Sequence, residues 1–177
     1  MTKSILISLT FLMGGLLFMQ FTPDNPSPST DEGIRWMTWE EVEAAQKKEQ
    51  RKVIVDVYTH WCGWCKRMDK ATFSDAKIIE YINENLYAVK FNAEQKEKIS
   101  LKGKEYTYMK SGRRGVNTLA VELLGPRMGY PTIVYLDNNL DKILVSPGYK
   151  DPTMLMKEMT FVHTDVYKNV PWNEYNK

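Results

Sequence analysis

The sequence predicts an α/β domain whose mixed sheet is parallel in its first half, ends in an antiparallel hairpin, and carries helices on both faces. Strand-like segments at 52–58, 86–92 and 131–136 are separated by stretches with helical spacing and capping residues. After the third strand, the turn Asp137-Asn138-Asn139 leads to a hairpin partner at 142–145. The resulting order is β-α-β-α-β-α-β-β-α.

The chain has 177 residues, enough for one domain with extensions, and 43% of them are hydrophobic, an ordinary share for a globular core. Its 24 basic and 22 acidic residues leave a formal charge of only +2, which argues against a nucleic-acid surface. Arg113 and Arg114, the nearest thing to a basic cluster, read as solvated loop residues.

The N-terminal stretch stands apart. Lys3 precedes a mostly apolar run from Ile5 to Phe21, which ends in a segment rich in Pro, Ser, Asp and Asn. A positive start, apolar middle and polar exit make the layout of a secretory signal. The large residues Phe18, Met19, Gln20 and Phe21 lack the usual cleavage pattern, and the run approaches the length of a membrane span. Residues 1–22 are therefore either a signal peptide or an N-terminal membrane anchor, and 23–33 form a flexible linker. Either option sends the rest across the membrane, to a periplasmic or otherwise extracytoplasmic site where disulfides persist.

The expected domain runs from 34 to 163. Ile34-Arg35-Trp36 reads as a short edge strand, and Thr38 with Glu41 as a capping box for a helix to about Gln50. The strand 52–58 follows, then helical sequence from about Gly63 to Asn85, interrupted near Thr72–Asp75, where Asp75 starts a second helix. After the strand 86–92 comes a polar insert, 93–117, containing a hairpin of 99–101 and 106–108 around Lys102-Gly103-Lys104. Asn117 caps a helix over 118–124, and Asp151-Pro152 opens the last helix, to about Val162. The extension 164–177 carries Tyr167, Trp172 and Tyr175, either packed back or loose.

The chemistry lies between the first long strand and its helix. Trp61-Cys62-Gly63-Trp64-Cys65-Lys66 holds the only two cysteines, so a Cys62–Cys65 disulfide closes a ring too small to staple the fold. A helix N-terminus favours the thiolate, the attacking species, and the pair reads as redox-active. Cys62, in the first turn, is expected to expose its sulfur as nucleophile; Cys65, one turn deeper, is the resolving thiol. Asp56 sits mid-strand among valines, where a carboxylate is expensive without a task.

These residues resemble the thioredoxin family. Asp56 stands six before the first cysteine, Trp61 just before it and Lys66 just after the second; Gly129-Tyr130-Pro131-Thr132 resembles the thioredoxin loop beside the dithiol, and 137–148 its terminal hairpin. The likeness spans about 34–163, with 93–117 as an insert between the second main strand and the following helix. That insert, with Glu122-Leu123-Leu124, is similar to a secreted branch found in Bacteroidetes-type bacteria. The resemblance implies a buried Asp56 that moves the Cys65 proton, with Lys90 as its partner. It also implies a cis Pro131 that lets the Tyr130 backbone pair with an extended peptide. Trp61, Gly63 and Trp64 would contact substrate, with core packing the alternative for Trp61. No histidine lies between the cysteines, so the cue linked with strongly oxidising relatives is missing.

The implied activity is thiol–disulfide exchange on protein or peptide disulfides, as reductase or isomerase, with a membrane or soluble redox partner and no cofactor. Two other classes stay open. A metal module would use Cys62, Cys65 and His60, one ligand short of a structural zinc site. A redox-inert holdase would bind peptides through Trp61, Trp64 and the Pro131 loop.

Overall fold

A computed structural model describes residues 33–111 and 113–177. The signal or anchor at 1–22 and nearly all of the linker lie outside the described residues. Among those described, no helix is long and apolar enough to cross a membrane.

The central sheet has the order β1-β3-β2-β8-β9. Strands β1 (Trp36–Met37), β3 (Leu86–Asn92) and β2 (Lys52–Tyr58) are parallel, whereas β8 (Thr132–Leu136) runs antiparallel to β2 and β9 (Lys142–Pro147) antiparallel to β8. Residues 53–57 of β2 are all buried, as a strand covered on both faces requires. Its alternation divides the interior. Val53, Val55 and Val57 join Val89, Phe91, Val134 and Leu136 on one face, under α1 (Trp39–Gln46) and α4 (Thr118–Leu124). Ile54 joins Ala88, Ile133 and Tyr135 on the other, under α2 (Gly63–Ala71), α3 (Ala76–Asn85) and α5 (Pro152–His163). Asp56 belongs by register to the second face, on which α2 lies.

The capping box at Thr38 and Glu41 forms, and Asp75, Asn117 and Asp151 cap α3, α4 and α5. Helix α1 stops at Gln46, short of the expected Gln50. There the Gln46 amide bonds both backbone groups of Arg51, at 2.5 and 3.0 Å, and turns the chain into β2.

The insert differs from expectation: it folds as two hairpins rather than one. The first pairs β4 (Ile99–Leu101) with β5 (Lys104–Tyr106) across a tight turn with φ of 54° at Lys102 and 72° at Gly103. The return strand therefore begins two residues earlier than expected. The second pairs β6 (Tyr108–Ser111) with β7 (Arg114–Asn117). Gly115 is required there, because a Cβ would lie 2.3 Å from the Tyr108 ring. Beyond α5, a 3-10 turn at Val166–Lys168 and a short α6 (Trp172–Tyr175) pack back on the domain, with Trp172 and Tyr175 rings 5.1 and 4.9 Å from Phe161.

Candidate active site

Strand β2 delivers the chain to the edge of the sheet and α2 carries it away. Cys62 is the N-cap of α2: its amide donates to the Thr59 carbonyl at 3.1 Å, and its sulfur accepts the Cys65 amide at 3.0 Å. The two sulfurs are joined in a disulfide. Cys65 is buried as expected. Cys62 is not exposed as expected: only 5% of its surface is accessible, because the bond to Cys65 and the Cys65 amide hold its sulfur against the first turn. Gly63, the first helical residue, faces open space where a side chain would stand.

On the face of β2 that α2 covers lies a charged cluster of Asp56, Lys90 and Asp69. Asp56 is 1% exposed and accepts from Lys90 Nζ at 2.9 Å, the two residues standing opposite each other in the β2–β3 register. Burial pushes the Asp56 carboxyl above its ordinary range, and the Lys90 charge offsets only part of that. Burial works against the Lys90 ammonium too, but Asp56 and Asp69 together outweigh it and raise its pKa. The ammonium also lies about equally far from the rings of Trp36, Tyr58 and Phe73, at 5.1, 5.1 and 5.3 Å. Asp56 Oδ1 has no hydrogen-bond partner among the described residues.

Asp69, the second carboxylate on Lys90, was not anticipated. The signal was available: it stands four residues after Cys65, on the same side of α2.

The rim is aromatic. Trp61 and Trp64 are 51% and 57% exposed, which excludes core packing for Trp61. The Trp61 indole N–H donates to Glu94 at 3.0 Å, its ring meets Tyr130 edge-on at 6.0 Å, and the Arg114 guanidinium lies 4.2 Å from its centre. Trp64 has Tyr149 at 5.6 Å and the Arg67 guanidinium at 5.2 Å. Tyr130 is half-buried and its bond to Pro131 is cis. Glu94 and Arg114 come from the insert, whose polar sequence carries no sign of which side chains reach Trp61. His60 stays outside the cluster, edge-on to Tyr58 at 5.6 Å. Among the described residues no group of three or more His, Cys, Asp or Glu side chains could hold a metal ion.

A dithiol capping the helix that follows the central strand, on a mixed sheet with a cis-proline loop, defines a thioredoxin-like protein. Solved structures share the fold. A DsbH oxidoreductase aligns with a TM-score of 0.56 at 12% identity, covering 81% of this chain and 93% of its own. A thioredoxin-fold protein from Helicobacter pylori aligns at 0.54 and 17%, covering 84% and 87%. A candidate disulphide-isomerase from Bacteroides thetaiotaomicron aligns at 0.53 and 22%, covering 75% and 95%. No curated protein matches significantly. The family model Thioredox_DsbH, described as a protein of unknown function, DUF255, matches residues 27–170, and the chain belongs to that family.

Proposed function

We propose that this protein is an extracytoplasmic thiol–disulfide oxidoreductase that reduces or isomerises protein disulfides. The observation that supports it most is the Cys62–Cys65 disulfide capping α2, with the buried Asp56 paired to Lys90 on the strand that leads into it. In the reduced protein, the Cys62 thiolate attacks one sulfur of a substrate disulfide, forming a mixed disulfide and releasing the other sulfur as a thiolate. Cys65 then gives up its proton and attacks Cys62, which frees the second substrate thiolate and re-forms the Cys62–Cys65 bond. Two electrons pass to the substrate, and a thiol donor must return them.

Asp56, its pKa raised by burial, is suited to take the Cys65 proton and pass it on. The Tyr130 backbone offers an extended peptide a strand to pair with. Four large apolar side chains are exposed among the described residues, and two of them, Trp61 and Trp64, flank the dithiol. Met128 is two residues before Tyr130, and the register puts Met109 on the Arg114 face of its hairpin. The extracytoplasmic location rests on Lys3 and the apolar run 5–21.

Cys65→Ser removes the resolving thiol and is expected to accumulate mixed disulfides on Cys62, visible as thiol-sensitive adducts on non-reducing gels. Absence of adducts, with peptide binding intact in Cys62→Ala, would contradict the exchange mechanism and favour the holdase.

A further inference from the structure

Both tryptophans beside the dithiol carry an arginine. Arg114 lies 4.2 Å from the ring centre of Trp61; Arg67 lies 5.2 Å from that of Trp64 and 5.7 Å from that of Tyr149. A guanidinium seated on an aromatic face keeps its N–H edge free, and that planar fork matches a carboxylate. Neither arginine is ion-paired among the described residues, although Lys98, Lys102 and Lys104 each find a carboxylate. The carboxylate that reaches this rim, Glu94, is engaged by the Trp61 indole. The whole chain is nearly neutral at +2, so an attraction of acidic peptides rests on these two arginines rather than on net charge.

The two arginines sit on separate aromatic pairs. Arg114 comes from the insert, on the side of Trp61 and Tyr130; Arg67 comes from α2, on the side of Trp64 and Tyr149. We propose that the polypeptide exchanging disulfides at Cys62 is acidic, presenting its cysteine between Asp or Glu side chains that pair with Arg114 over Trp61 and with Arg67 over Trp64. This rests on the oxidoreductase reading and names the substrate class of that site. The aromatic rim supplies contact with any extended peptide, and the guanidinium edges select by charge.

The test uses the reduced full-length protein and three peptides, each with one cysteine as its 2-thiopyridyl disulfide, flanked on both sides by Glu, Ser or Lys. Release of the neutral thiopyridone reports the rate of attack by Cys62. At low salt the Glu peptide is expected to react about tenfold faster than the Ser peptide and the Lys peptide more slowly, with high salt compressing the series. The double variant Arg67→Gln/Arg114→Gln should bring the Glu-to-Ser ratio close to one. Equal rates for the three peptides, or a ratio the double variant leaves unchanged, would overturn the proposal.

Binding of the corresponding Cys→Ser peptides, followed by fluorescence anisotropy, separates this inference from the exchange chemistry. No exchange with any peptide but tighter binding of the acidic one would remove the oxidoreductase reading and keep acidic selectivity. Binding that ignores charge would remove the selectivity.

Discussion

At the residue scale, Asp56 is the most informative side chain. Its folded-state pKa is raised by burial, so between the unfolded and folded values the native protein holds a proton that the unfolded chain has lost. The stability this group contributes is present below the unfolded value and disappears as pH climbs through the folded one. Asp56→Asn cannot ionise, so it is expected to gain stability on the parent as pH rises above the ordinary carboxylate range, read by urea unfolding at a series of pH values. A constant difference across that series would contradict the assignment. The same variant should slow the resolving step near neutral pH, seen as longer-lived mixed disulfide in single-turnover quenching; unchanged kinetics would remove Asp56 from proton transfer. Lys90 is the register neighbour of Asp56, whereas Asp69 reaches the same ammonium from α2, a contact that only the packing of that helix on the sheet creates.

At the element scale, the two insert hairpins have different tasks. Ile99, Leu101 and Tyr106 are buried in the interior with Val42 of α1, and Tyr106 donates to Glu122 of α4 at 2.7 Å. The first hairpin is therefore part of the core. Ile99→Ala is expected to cost about 2–4 kcal/mol in chemical denaturation, and a loss within about 0.5 kcal/mol would contradict it. The second hairpin carries Arg114 to Trp61. Gly115→Ala should shift or unseat that hairpin and loosen the Arg114–Trp61 contact, seen as a change in tryptophan fluorescence; an unchanged spectrum would contradict it. On the opposite face, Glu158 accepts from Tyr135 at 3.2 Å and Ser146 at 2.5 Å, tying α5 to β8 and β9. Glu158→Ala would leave both hydroxyls buried without that partner, at a cost of roughly 2–4 kcal/mol measured by unfolding.

At the scale of the whole molecule, the sheet and its site were legible in different degrees. The β-branched run at 52–58, the alternation at 86–92 and the capping residues Thr38, Asp75, Asn117 and Asp151 encode their elements locally, so they could be read directly. The dithiol was legible because two cysteines at that spacing have little other use. The second hairpin was not, since its turn is polar and its one required residue, Gly115, is needed for a contact with Tyr108 that only the folded chain creates. Nor was the seat of Cys62, whose low exposure depends on the closed disulfide and the Cys65 amide. Nor were the arginines on the two rings, one brought from an insert and the other from a helix.

The working redox couple of Cys62 and Cys65 is the proposal on which the others depend. It is tested most directly by equilibrating the protein with thiol–disulfide buffers spanning about −300 to −120 mV and counting free thiols. A working couple gives a reversible, two-electron titration with one midpoint in that range. A pair that stays oxidised or reduced throughout would contradict it.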